Sequence, residues 1–159
     1  MNPVEFKSPL FFLNENRLDI ACKFLYVKSY LETNDEYIFN LYRKIILLRT
    51  GGSEPFDNMI PNQKSKDSVD QYVSSFNELI LNFKNYGYND NYPVYWAANC
   101  LVTGSHRIAC ALYFNTNVPS IKVSKKSNQQ WGRKWFEENN FDNKDIILLE
   151  KEVQQHEQL

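Results

Sequence analysis

Cysteine is scarce in this sequence, and its three residues form no recognisable disulfide or metal-binding pattern. The count is odd, and the spacings of Cys22, Cys100 and Cys110 do not suit zinc. Cys22 and Cys110 fall on predicted apolar helix faces, where buried and reduced thiols are typical. The sequence therefore predicts free thiols, which favours a cytoplasmic location.

An excess of charge of one sign is also lacking. Lys and Arg together number 18, against 19 Asp and Glu, so the net charge is −1. Such a balance supplies little counterion release on a nucleic acid, and we expect no specific binding of duplex DNA. One local group of basic residues is present, comprising Lys122, Lys125, Lys126, Arg133 and Lys134. Such clusters usually form a solvated part of the surface.

Long apolar runs are missing as well. No stretch reaches the length that spans a bilayer, so we expect no membrane partner. Residues 1–10 contain Glu5 and two prolines, which is not typical of a signal peptide. At 159 residues, without an internal repeat or a linker, the chain is predicted to form a single domain over residues 1–159.

Helical periodicity dominates the first half of the chain. Helices are predicted over about 16–31, 35–49 and 67–86, with shorter ones near 131–138 and from 142. Strands are predicted near 92–97, 101–103 and 118–123, and residues 1–14 are expected to be extended. The inward residues of the second helix are predicted to be Tyr37, Leu41, Ile45 and Leu48. The predicted fold class is α+β, a small mixed or antiparallel sheet flanked by helices, with a helix-rich N-terminal half.

A candidate anion site lies where a strand, a glycine turn and a helix follow one another in residues 101–114. Gly104 permits an unusual turn, and Ser105 is a preferred N-cap of the helix that follows. The free amides and positive dipole of a helix start attract a phosphate, and His106 and Arg107 add donors in the first turn. A nucleotide phosphate is the predicted occupant; the alternative is an ordinary capped surface helix.

The run from Gly104 to Leu112, with Asn115 and a strand over 118–123, resembles the signature of the ParB/sulfiredoxin superfamily. The resemblance covers about residues 92–123. Members bind nucleotide phosphates at the start of this helix, which implies that Gly104, Ser105, His106 and Arg107 bind phosphate, with ATP or ADP and Mg²⁺ as cofactors. The sulfiredoxin branch carries a reactive cysteine where this chain has Ser105, so sulfiredoxin activity is not expected.

Other branches of that superfamily are chromosome-partition proteins and ADP-dependent serine kinases. A longer pattern, with residues 19–23 and the Glu54–Pro55 dipeptide upstream, also resembles bacterial proteins linked to surface-polysaccharide gene clusters. The resemblance therefore implies a nucleotide-dependent small-molecule kinase that acts on a sugar or an amino acid, with surface-polysaccharide biosynthesis as its context. The alternatives are a noncatalytic nucleotide-binding protein and a ParB-like DNA-binding protein.

The candidate catalytic residues are carboxylates and lysines. Glu54, in a Gly- and Pro-marked loop, or Asp19 would accept the proton of an acceptor hydroxyl. Lys66 or Lys23 would offset the developing charge and contact the nucleotide. Asp19 and Lys23 are spaced i, i+4, and the favoured interpretation of this pair is a solvated surface ion pair; the alternative is a pair that faces the phosphate site.

Ser105 is expected to be a cap and a phosphate donor, and not a covalent nucleophile. An activated serine needs an aligned base. The two histidines are His106, which is its own neighbour in the chain, and His156, near the C-terminus. Neither is placed by the sequence to take the Ser105 proton.

Overall fold

The computed structural model describes residues 2–49, 68–98, 100–124 and 131–157. Two of the candidate site residues, Glu54 and Lys66, lie outside these ranges, as do Lys125 and Lys126 of the basic group. The described part of the chain contains four strands and six α-helices. In chain order these are β1 Val4–Lys7, α1 Leu18–Lys28, α2 Glu36–Arg49, α3 Val69–Tyr86, β2 Val94–Ala97, β3 Cys100–Thr103, α4 Ser105–Phe114, β4 Val118–Lys122, α5 Arg133–Glu138 and α6 Asn143–Glu157.

The sheet is small and mixed, in the order β1-β4-β2-β3. The outer pairs β1–β4 and β2–β3 are antiparallel, whereas the central pair β2–β4 is parallel. The predicted α+β class, with a mixed sheet and a helix-rich N-terminal half, is confirmed. Strand β1 was expected only as extended chain. It pairs with β4 across a long separation, and Ser120 Oγ donates to the Glu5 carbonyl oxygen at 2.8 Å.

Helix α1 lies at the centre of the molecule and contacts α2, α4 and α6. Because neighbours surround it, side chains on every side of its first turns are buried, among them Leu18, Ile20, Ala21 and Cys22. The regular α-helix ends at Lys28, but the helical segment continues past the predicted end near residue 31. The backbone widens into a π-helical turn at Ser29–Thr33 and stops at Asn34, which has a positive φ of 50°. No described helix is both long and apolar enough to cross a bilayer.

The predicted inward face of α2 is partly wrong. Tyr37 and Leu48 are 46% and 42% exposed, whereas the buried residues are Ile38, Leu41, Tyr42, Ile45 and Ile46. The buried face is therefore rotated toward the neighbouring aromatic side chains. The ring of Tyr42 packs against those of Tyr26 and Phe76, at centroid distances of 4.6 and 5.4 Å.

The turn between β3 and α4 depends on Gly104. Its φ of 112° is a conformation that side-chain-bearing residues rarely adopt. A Cβ atom at this position would lie 2.5 Å from Cγ1 of Val94 on β2, so the turn is pressed against the sheet. Gly104 is itself the N-cap, and Ser105 is the first helical residue, so the expected N-cap role of Ser105 is wrong. This shift frees the Ser105 hydroxyl for a contact elsewhere.

Candidate functional site

Asp19 lies in a buried ion pair at the start of α1. Arg17 donates from Nε to Oδ1 and from Nη2 to Oδ2, at 2.9 and 3.0 Å, and Lys23 Nζ lies 3.5 Å from Oδ2. Asp19 and Lys23 are 0% exposed and Arg17 is 6% exposed. The favoured interpretation of Asp19 and Lys23 as a solvated surface pair is therefore wrong. Because α1 is surrounded by other helices, the polar face of its first turns is buried too.

Lys23 reaches from α1 to the start of α4. Its Nζ donates to Ser105 Oγ at 2.6 Å, and Ser105 is 4% exposed. The Asp19–Lys23 pair therefore faces the turn that was predicted to bind phosphate, which is the alternative given in the sequence analysis. We call Arg17, Asp19, Lys23 and Ser105 the buried polar cluster. Burial strengthens each of these electrostatic contacts, because little water is present to screen them.

Arg17 is a member of this cluster that the sequence analysis missed. Besides Asp19, it donates from Nη1 to the Leu101 carbonyl oxygen of β3 at 3.1 Å, and its guanidinium lies 5.1 Å from the Trp131 ring. The backbone of Trp131 holds the same segment, since its carbonyl accepts from Leu18 N at 2.8 Å. Arg17 precedes the first helical residue, so helical spacing gave no signal for its contact with Asp19.

His106 points away from the cluster, into a group of aromatic side chains. Its Nε2 is 2.8 Å from the Tyr42 hydroxyl oxygen, and its ring lies edge-on to Phe76 at a centroid distance of 4.6 Å. The Tyr72 ring is 6.3 Å away. The His106 side chain therefore lies between its own helix, α4, and the helices α2 and α3. There it helps to fix the position of the α4 N-terminus.

The Arg107 guanidinium is also held by protein groups. Its Nη1 donates to the carbonyl oxygens of Tyr92 and Pro93, at 3.3 and 3.2 Å, and its plane lies over the Tyr92 ring at 5.6 Å. These contacts fasten the residues that lead into β2. A phosphate contact from Arg107 would therefore need other donors of the same guanidinium to turn toward the ligand.

The nearby thiols are poor nucleophiles at neutral pH. Burial is the main cause that raises the pKa of the Cys22 thiol far above its usual range, and the adjacent Lys23 opposes this only in part. Burial likewise raises the pKa of the Cys110 thiol on α4. The thiolate is the reactive form of cysteine, and it is suppressed at both positions. The Ser105 hydroxyl accepts a hydrogen bond from the buried Lys23 amine.

The start of α4 has backbone amides ahead of its first intrahelical hydrogen bond. The first intrahelical bond runs from Ile108 N to Gly104 O at 3.0 Å, so the amides of residues 105–107 precede it. The described residues do not fit a magnesium site, because they contain no group of three His, Cys, Asp or Glu side chains that could hold a metal ion. The structure thus joins Asp19, Lys23, Gly104 and Ser105, and directs His106 to other partners.

No protein-family model, curated protein or solved structure matches this chain. The resemblance to the ParB/sulfiredoxin superfamily therefore stays a prediction from residues 92–123. The observed order of strand β3, Gly104, helix α4 and strand β4 follows the order in which the sequence predicted these elements. Any functional conclusion depends on the geometry of the site itself.

Proposed function

We propose that this protein is a nucleotide-dependent phosphotransferase that acts on a small-molecule acceptor such as a sugar or an amino acid. The observation that carries the proposal is the contact between Lys23 Nζ and Ser105 Oγ, 2.6 Å apart and buried at the first residue of α4. A helix start favours negative charge, and a lysine directed at it adds a full positive charge. Phosphoryl transfer depends mainly on such positioning and charge stabilisation.

The nucleotide phosphates would bind at the first turn of α4. Backbone amides of residues 105–107 would donate to the phosphate oxygens, as at other helix N-termini. Lys23 and the Ser105 hydroxyl would add side-chain donors from beneath this turn. Gly104 keeps the turn close to β2 and leaves room for no side chain there. ATP or ADP is the proposed donor, and the ParB/sulfiredoxin resemblance supports the same assignment.

The proposed role of Asp19 is to hold the side chains of Arg17 and Lys23 in position. Arg17 occupies both of its carboxylate oxygens, so Asp19 is poorly placed to take a proton from an acceptor hydroxyl. We therefore retain Glu54 as the proposed general base and Lys66 as a proposed phosphate ligand. No step is assigned to Mg²⁺ on the described residues. A surface-polysaccharide pathway is the proposed context for the acceptor.

The decisive experiment introduces a fixed negative charge where the phosphate is proposed to bind. In Ser105→Asp, the new carboxylate would pair with Lys23 and occupy the helix start. Isothermal calorimetry should show that ATP and ADP bind at least about tenfold more weakly than to the wild-type chain, the effect of losing a charge-assisted contact. The melting temperature should not fall, because an aspartate is favourable in a first helical turn.

The matched control is Ser74→Asp, which adds the same charge at an exposed position of α3. It should leave nucleotide affinity unchanged. Equal nucleotide affinity of Ser105→Asp and wild type would refute the proposed phosphate site. If the wild-type chain binds nucleotide but phosphorylates no member of a panel of sugars and amino acids, the noncatalytic nucleotide-binding alternative replaces the phosphotransferase.

A further inference from the structure

The contacts of Ser105 meet the geometric requirements for an activated nucleophile. Such a nucleophile needs a base within hydrogen-bond reach, and the base needs a third group that orients it. Lys23 Nζ lies 2.6 Å from Ser105 Oγ, and Asp19 Oδ2 lies 3.5 Å from the same nitrogen. Arg17 in turn holds both Asp19 oxygens. The base that the sequence did not reveal comes from another helix, 82 positions away.

We propose that Ser105 is a covalent nucleophile with Lys23 as its general base, so that the phosphoryl group passes through a phosphoserine at residue 105. This inference rests on the proposed function and deepens it, because it adds a covalent intermediate at the same site. It assigns Asp19 as a positioning residue that acts through Lys23. It also excludes direct transfer from nucleotide to acceptor.

The arrangement of charges favours this role for Lys23. Lysines in buried positions serve as general bases because burial favours the neutral amine. Arg17 makes the shorter contacts with Asp19, at 2.9 and 3.0 Å. Asp19 is therefore mainly neutralised by Arg17, and its longer contact orients the Lys23 amine toward Ser105.

Lys23 is a cation in the resting pair with Asp19, so only the fraction of chains that has lost a Lys23 proton to solvent reacts. In the first step, the Ser105 Oγ–H proton moves to this deprotonated Lys23 Nζ as Oγ attacks the terminal phosphorus of the nucleotide. The new Oγ–P bond forms, and the bond from phosphorus to the bridging oxygen breaks, with its electron pair leaving on the shortened nucleotide. In the second step, the acceptor hydroxyl oxygen attacks the phosphoserine. Lys23 returns its proton to Ser105 Oγ, and the hydroxyl proton passes to the general base of the acceptor.

A small fluorophosphonate tests the nucleophile without a nucleotide. Its reaction with Ser105 forms an Oγ–P bond and expels fluoride, while the proton moves to Lys23. Intact-mass and peptide analysis of the folded chain should show one adduct, located on Ser105. Absence of an adduct on folded wild type, under conditions that label a known serine enzyme, would overturn the proposal.

Two substitutions at Lys23 separate a basic role from a structural one. Lys23→Arg keeps a positive charge but cannot accept a proton, and Lys23→Met removes the charge with similar size. Labelling of Ser105 should slow at least about 100-fold in whichever of the two folds, the lower range for loss of a general base. The control Lys28→Met, at an exposed position of the same helix, should label at the wild-type rate. Wild-type labelling in Lys23→Arg would overturn the assignment of Lys23.

The failure of this inference can be told apart from failure of the proposed function. Ser105→Ala removes the nucleophile and one proposed phosphate donor but no backbone amide. Calorimetry should therefore still detect ATP or ADP binding, weakened by the loss of that one hydroxyl, while the fluorophosphonate adduct is lost. Nucleotide binding without any phosphoserine during turnover would overturn the covalent step and leave the nucleotide site intact. A fluorophosphonate adduct without nucleotide binding would instead refute the phosphotransferase and retain Ser105 as an activated nucleophile.

Discussion

At the scale of single residues, the three cysteines occupy two kinds of environment. Cys22 and Cys110 are buried, and burial raises the pKa of each thiol, whereas Cys100 is exposed. Because only the thiolate reacts, a disulfide reagent at pH 8 should modify one thiol per folded chain and three per unfolded chain. Absorbance of the released thiolate measures both numbers.

The control for this count is Cys100→Ser, which should leave no rapidly reacting thiol in the folded chain. Rapid modification of a second thiol in the wild type would show that α1 or α4 opens readily, and would contradict the burial of these helices. The expected reduced state of Cys22 and Cys110 agrees with their free thiols in the structure.

Residue-scale prediction from the sequence succeeded where the chemistry is local and failed where it depends on distant neighbours. The Gly104 turn before α4 was predicted because glycine adopts backbone angles that other residues avoid, and it follows a predicted strand here. The spacing of Asp19 and Lys23 was recognised, but an i, i+4 pair looks the same on a surface helix and on a central one. Only the packing of α2, α4 and α6 around α1 decides between these cases.

At the scale of elements, the β3–α4 connection should tolerate no side chain. Gly104→Ala would suffer the cost of a positive φ, about 1–3 kcal/mol, and would also drive its Cβ into Val94. Overpacking adds about 1–3 kcal/mol, so chemical denaturation should show a loss of roughly 2–6 kcal/mol in the free energy of unfolding. Thermal melting should follow the same order.

Gly87 is the matched control, since it also has a positive φ, of 76°, but nothing lies within 4 Å of the Cβ atom that a substitution would add. Gly87→Ala should therefore show the backbone cost alone, about 1–3 kcal/mol. A loss in Gly104→Ala no larger than in Gly87→Ala would mean that the turn is not pressed against β2.

Element prediction was close for the long helices and for the short strands β2, β3 and β4, and it missed the pairing of β1 and the π-helical turn. Helices α2 and α3 were predicted close to their observed bounds, because many apolar residues repeat at the helical period. Strand β1 has only four residues, and it is defined by pairing with distant β4. The π-helical turn after α1 arises from local packing that periodicity does not encode.

At the scale of the whole molecule, a buried tyrosine predicts loss of stability at high pH. Burial raises the pKa of Tyr26 from 10.0 to about 12. The unfolded chain therefore releases this proton at lower pH than the folded chain, so the free energy of unfolding falls as pH rises from about 10 to 12. The Tyr26 contribution is fully present below pH 10 and is lost as pH passes through 12.

Tyr26→Phe should flatten this decline, as measured by urea denaturation across the same pH window. Loss of the hydrogen bond to Asn77 Oδ1 lowers stability at every pH, so the slope is the relevant quantity. Tyr86→Phe, which alters a residue that is 83% exposed, should leave the slope unchanged. An unchanged slope in Tyr26→Phe would contradict the raised pKa of Tyr26.

The pairing of β1 with β4 has a consequence for how the chain is made. Glu5 and Ser120, which join these strands, are 115 positions apart, and β1 has no other partner strand in the described sheet. During translation, the first strand leaves the ribosome long before its partner is synthesised. The backbone N–H and C=O groups of β1 that β4 will pair then remain available to chaperones, or to other nascent chains on the same messenger RNA, until β4 emerges. Slowing the ribosome between α4 and β4 would prolong that interval.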